Sequence, residues 1–186
     1  MRDLSHNFSR GTNVARKELL VNPKDLDFEN VVADLEAIRK FNPQRHEMEQ
    51  LTAIVYCDEE TMTCAGYKDI TEDDVWVRGH MPGMPLMPGV FMCEAAAQLC
   101  SYVTQRFDLL GAEMVGFGGM EEVRFRGPVV PGDRLIIACR RIRSRRGRMI
   151  LSDFQGVVGE NIVVDGQIIG VPLPVDALSA ASQNKQ

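Results

Sequence analysis

The stretch His80-Met81-Pro82-Gly83-Met84-Pro85-Leu86-Met87-Pro88-Gly89-Val90-Phe91-Met92-Cys93-Glu94 sets a histidine, a loop and a carboxyl group in that order. Three prolines and two glycines fall within eight residues, from Pro82 to Gly89. Each proline fixes φ and removes a backbone donor, and glycine permits conformations closed to other residues. The result is a stiff loop. Pro88-Gly89 fits a helix start, and Ala95, Ala96, Ala97, Gln98 and Leu99 favour a helix over residues 90–107. That helix is apolar nearly all round, the pattern of a buried one. A buried Glu94 needs a partner, because an unpaired buried charge is costly. Gln98 stands four residues on, on the same face, and can hydrogen-bond it. A histidine and a carboxyl group held by a rigid loop can move protons on a substrate.

Working outward, short strands are expected over 51–56, 61–67 and 74–78, with Asp58-Glu59-Glu60 as a hairpin turn. Further strands are expected over 115–126, 135–142, 148–158 and 162–171. Pro131-Gly132-Asp133, Arg145-Arg146-Gly147 and Val164-Asp165-Gly166 supply turn residues. Upstream, Phe28, Val31, Val32, Leu35 and Ile38 fall at helical spacing, so an amphipathic helix is expected over 27–40. One long apolar helix among antiparallel strands gives an α+β fold, in which a curved sheet wraps the helix. The organisation read from this is a polar extension over 1–26, a single domain over 27–175 and a polar tail over 176–186.

The chain has 186 residues and a net charge of −5. Nine arginines and one aspartate between Arg124 and Arg148 give that segment +8, leaving −13 for the remainder. Arg140, Arg141, Arg143, Arg145, Arg146 and Arg148 crowd into nine residues. A strip of this kind is either a solvated hairpin face or a docking surface for an acidic partner. No aromatic residues interleave the arginines, which argues against nucleic acid. The longest apolar runs, such as Leu135-Ile136-Ile137-Ala138-Cys139, are too short to span a bilayer, and no secretory signal is visible at the start. A cytoplasmic protein without membrane contact is expected. Five cysteines without a Cys-x-x-Cys pair argue against a disulfide framework or a zinc site and for mostly reduced, buried thiols. Cys93 beside Glu94 has no histidine at useful local spacing and is not read as a nucleophile.

The pattern His-x-Pro-Gly-x-Pro-x-Met-Pro-Gly-Val, followed by Glu-Ala-x-Ala-Gln, resembles the signature of the beta-hydroxyacyl-ACP dehydratases of the FabZ type. Phe117 to Asp133 resembles a second landmark of that family, a strand ending in Pro-Gly-Asp, and the likeness runs from about residue 33 to 171. Met81 stands where the family usually has phenylalanine. The resemblance implies a hot-dog fold, a curved antiparallel sheet wrapped around one long central helix. It implies dehydration of a 3-hydroxyacyl thioester to the trans-2-enoyl thioester, with His80 as base and Glu94 as acid. Backbone N–H groups of Gly89 and Val90 would meet the charge on the thioester oxygen, and Gln98 would orient Glu94. Glu94 would have to be protonated, which burial favours. In a competing one-base scheme His80 moves both protons and Glu94 orients a water. Met81, Met84, Met87 and Phe91 would line an acyl tunnel. The arginine strip would dock acyl carrier protein, whose phosphopantetheine arm carries the substrate. The site would form between subunits of a homodimer, with a trimer of dimers as a larger assembly. No cofactor or metal is implied. Two other readings stand beside this one: a hot-dog acyl-CoA thioesterase or hydratase, and an inactive acyl- or carrier-binding module.

Overall fold

A computed structural model describes residues 18–175. Residues 1–17 and 176–186, which hold much of the expected extension and all of the tail, lie outside the described residues. Six strands, β1 (Ala53–Asp58), β2 (Thr63–Asp69), β3 (Val115–Phe125), β4 (Arg134–Arg145), β5 (Met149–Val158) and β6 (Asn161–Pro172), form one sheet. They are ordered β1-β2-β4-β5-β6-β3 and every pairing is antiparallel. A one-turn helix, α1 (Leu35–Ile38), precedes the sheet, and the long helix α2 (Gly89–Arg106) follows β2. Helix α2 contacts β2, β3, β4, β5 and β6, so the sheet wraps it as expected.

Alternation along the strands separates two cores. Ile54, Cys64, Leu135, Ile137, Cys139 and Phe154 face α2 and pack on Ala95, Ala96, Leu99 and Val103. Ala53, Val55, Ala65, Tyr67, Ile136, Ala138 and Val157 face the other way. That outer face is covered by Leu19, Leu20, Val21, Leu26 and Phe28 from the chain's own beginning. The buried Gln155 clips the segment down: its Oε1 accepts from Leu20 N at 2.8 Å and its Nε2 donates to Glu18 O at 2.9 Å. Phe28 stacks edge-on against Tyr67, and the Arg134 guanidinium lies over both rings. A strand covered on both faces is apolar at every position, which explains the unbroken run Leu135 to Cys139.

Four expectations need correction. Residues 27–40 are not one helix. Only Leu35–Ile38 is helical, with Asp34 as N-cap to Ala37 N. Ala33 instead bridges Ile54 in strand fashion. Tertiary contacts pull this segment's apolar residues to different surfaces, Phe28 to the outer face and Ile38 to the inner core, and override the helical spacing. Residues 74–78 form turns rather than a strand, held by Val77 N to Asp74 O and Gly79 N to Trp76 O. Val164-Asp165-Gly166 lies in the middle of β6, paired with both β5 and β3. The β5–β6 turn is at Gly159-Glu160. Finally, Cys57 and Cys64 face each other across β1 and β2 and are joined as a disulfide. Cys93, Cys100 and Cys139 are buried free thiols.

Among the described residues no helix is long and apolar enough to cross a membrane. Leu99 is fully buried between α2 and the sheet. Leu99→Ala is expected to cost about 2–5 kcal/mol in urea denaturation, whereas Val75→Ala on the exposed turn stays within about 0.5 kcal/mol.

Candidate active site

The Pro/Gly loop is fixed by two nested pairs of hydrogen bonds. Leu86 N donates to His80 O at 2.8 Å while His80 Nδ1 bonds Leu86 O at 2.7 Å. Inside that pair, Met81 N and Met84 N each donate to the other's carbonyl, at 3.2 and 2.9 Å. The His80–Met81 peptide is cis. Met87 N then donates to Val129 O and anchors the loop to the rest of the fold. A carbonyl oxygen only accepts, so the neutral imidazole of His80 carries its proton on Nδ1. Its Nε2 is left as a free acceptor on an exposed ring, the form a general base needs.

At the start of α2 the N–H groups of Gly89 and Val90 have no protein acceptor among the described residues. A β-carbon at residue 89 would lie 2.5 Å from the ring of Phe125 on β3, so a larger residue there would have to displace that exposed ring. Met87 is buried in the core, Phe91 is half-buried, and Met81 and Met84 are exposed.

Glu94 is half-buried and held by one oxygen. Gln98 Nε2 donates to Glu94 Oε1 at 2.8 Å and to Met48 O at 2.6 Å, and Gln98 Oε1 accepts from Gln50 N at 2.9 Å. Asn42 Nδ2 donates to the backbone oxygen of the same Gln98. The 42–50 segment is itself tied back by Arg39, whose guanidinium grips Glu49 and also pairs with Glu36. That hydrogen-bonded guanidinium holds the Glu49 carboxyl below the usual carboxylate range. Met48, Glu49 and Gln50 did not stand out in the sequence, where only residues 38–45 were marked, as a turn resembling the family's.

A small cavity, open on one side, runs along α2. Glu94, Ala97, Ser101 and Thr104 form its helical wall, and Val115, Phe117, Ile150, Ser152 and Ile168 are among the residues of its sheet wall. His80, Met81, Met84, Met87 and Phe91 do not line it. Burial pushes the Cys93 thiol up, away from nucleophile character. Among the described residues no group of three or more His, Cys, Asp or Glu side chains is placed to hold a metal ion.

The arginines lie on the β4–β5 hairpin. Arg140 pairs with Asp153 at 3.8 Å and Arg146 with Asp108 at 2.5 Å. Arg143, Arg145 and Arg148 are exposed and form no ion pair among the described residues.

Residues 42–167 match the FabA-like domain. The chain belongs to the FabA-like family. It is 37% identical over 103 residues to the 3-hydroxyacyl-[acyl-carrier-protein] dehydratase FabZ of Rhizobium rhizogenes, covering 55% of this chain and 65% of that protein. It is 32% identical over 139 residues to the FabZ of Desulfotalea psychrophila, covering 73% of this chain and 91% of that protein. Two solved structures share the fold. The dehydratase heterocomplex ApeI:P from Xenorhabdus doucetiae has a TM-score of 0.62 at 13% identity, over 77% of this chain and 96% of that one. The virulence protein Cj0977 from Campylobacter jejuni has a TM-score of 0.59 at 16% identity, over 81% and 95%. The hot-dog architecture expected from the motif is therefore the observed one.

Replacing Gln98 by leucine leaves the Gln50 N–H and the Met48 carbonyl without partners, at an expected cost of about 1–3 kcal/mol in chemical denaturation. The Arg39–Glu49 pair gives a pH-dependent contribution. Glu49 titrates lower in the folded chain than in the unfolded one, so the pair stabilises fully above the unfolded value. That contribution is lost as pH falls through the folded value. At pH 7 wild type should melt slightly higher than Arg39→Met, the difference kept small by the exposure of the arginine. The two melting curves should converge as pH falls below the ordinary glutamate range and through the lower folded value of Glu49.

Proposed function

We propose that this chain is a 3-hydroxyacyl-[acyl carrier protein] dehydratase, a hydro-lyase that converts a (3R)-3-hydroxyacyl thioester to the trans-2-enoyl thioester in fatty-acid synthesis. The observation that carries the reading is Glu94, held by Gln98 through one oxygen at the wall of a cavity. Family membership and the FabZ relatives support the same reaction.

In the proposed chemistry His80 Nε2 removes a proton from the second carbon of the acyl chain. The electron pair moves onto the thioester oxygen, which the Gly89 and Val90 N–H groups receive. As the pair returns to form the double bond, the bond from the third carbon to its hydroxyl breaks. Glu94 delivers a proton to that oxygen, which leaves as water. Imidazolium and carboxylate are then reset by proton exchange with solvent. In the one-base scheme the imidazolium protonates the leaving hydroxyl through a water that Glu94 orients.

The active unit we infer is a homodimer. Strand β3 ends the sheet with a free edge and exposes Phe117 and Phe125, 62% and 55% accessible. Val90 at the helix start is 70% accessible. Such an apolar, unpaired edge fits a second copy. A partner laid there would bring a second histidine loop to the cavity that Glu94 lines. The exposed Arg143, Arg145 and Arg148 suit the acidic acyl carrier protein, with Arg140, Arg141 and Arg146 adding to the field.

A spectrophotometric assay on 3-hydroxydecanoyl thioesters tests the reaction. Wild type should form the conjugated enoyl product, and His80→Ala should lose at least a hundredfold. A comparable loss in Glu94→Gln supports the two-residue scheme, and near-full activity there supports the one-base scheme. Release of free thiol would instead identify a thioesterase. Mixing His80→Ala with Glu94→Gln tests the shared site, because only a composite site regains part of the wild-type rate. Charge reversal at Arg143, Arg145 and Arg148 should raise KM for carrier-linked substrate about tenfold and leave pantetheine thioesters unaffected.

A further inference from the structure

The dehydratase reading fixes how a substrate lies along α2. The thioester oxygen belongs at Gly89 and Val90, and the 3-hydroxyl at Glu94. The remaining carbons then continue past Ala97 toward Ser101 and Thr104, into the cavity. Ser101 lies two turns beyond Glu94, about 10 Å along the helix axis.

This tail region is not purely apolar. Ser152 faces α2 on β5 at a place where the inward residues to either side are Ile150 and Phe154. It is 6% exposed, and its hydroxyl makes no hydrogen bond among the described residues. The Ser101 hydroxyl, across the cavity on α2, also has no partner among the described residues. Gln44 Oε1, on the same lining, is buried and unbonded. Thr104, by contrast, spends its hydroxyl on Cys100 O. A saturated tail would cover the Ser101 and Ser152 hydroxyls and bond neither, beside a Gln44 oxygen already buried without a partner, which is unfavourable. A tail oxygen would bond one or both hydroxyls.

Resting on the dehydratase reading, we propose that Ser101 and Ser152 form a tail subsite for an acyl chain bearing a hydroxyl or keto oxygen several carbons beyond the reacting ones. The preferred substrate is then an oxygenated 3-hydroxyacyl thioester rather than a long saturated one.

The test compares 3-hydroxyhexanoyl, 3-hydroxyoctanoyl and 3-hydroxydecanoyl pantetheine thioesters with counterparts carrying a terminal hydroxyl. At one length or more, kcat/KM should favour the hydroxylated chain by about tenfold or more. Ser152→Ala and Ser101→Ala should each lower that ratio severalfold, and Ser152→Val should reverse the preference. Thermal melts of the variants confirm folding, and Ser101, half-exposed on the helix, tolerates alanine most readily. Equal or greater activity on the saturated chain at every length, or a ratio unmoved by either alanine, overturns the subsite while leaving the dehydratase intact. Dehydration of none of the six substrates overturns both.

Discussion

A primary amide buried within an apolar helix has to satisfy two donors and an acceptor where no water can reach. Gln98 solves this with partners that fix its orientation. The Gln50 N–H can only donate, so it selects Gln98 Oε1. The Met48 carbonyl can only accept, so it selects Nε2. The second hydrogen on Nε2 then points at Glu94 and at nothing else. One oxygen of Glu94 is thereby committed, its rotamer is set, and the other oxygen is left for the cavity. The irregular 39–50 segment exists in its observed place for the same reason. Its backbone supplies the partners, Asn42 adds a bond to the Gln98 carbonyl, and Arg39 on Glu49 holds the segment down.

Much of this could be read from the chain, and the parts that could not share a cause. The long helix was legible within one residue at each end, because Pro88-Gly89 and the alanine run are local signals. The strands on either side of the Arg145-Arg146-Gly147 turn were legible for the same reason. Residues 27–40 misled because spacing reports periodicity and not what each apolar residue touches. Asp165-Gly166 looked like a turn, yet each residue answers a tertiary demand. Asp165 is buried and paired with Arg126, and a β-carbon at 166 would meet Val123 and Phe154. Cys57 and Cys64 became partners through hairpin register, which seven residues of spacing do not reveal.

The site divides along the same line. His80, Glu94 and Gln98 stood out because a motif encodes them and their spacing is local. Gly89 was read as a place where a thioester could approach the backbone, and the neighbour found beside it is the Phe125 ring, brought there by the far end of β3. The cavity was invisible in the sequence because its walls come from one helix and three strands. The methionines drew attention as a possible lining. A loop folded back on itself through Met81 and Met84 presents them outward, and Met87 goes into the core.

The stiffness of that loop bears directly on how a site could be assembled. Reciprocal bonds between His80 and Leu86 leave the imidazole little freedom to swing, and the Gln98 clamp leaves Glu94 as little. In the dehydratase we propose, two groups this rigid would be brought together by the placement of whole elements. Phe117 links that requirement to the free edge of the sheet, since the same side chain lines the cavity and stands exposed on β3. A second copy paired along β3 would cover Phe117 and wall in the open side of the cavity. In the homodimer we infer, that copy's rigid histidine loop would meet the acid without asking either group to bend.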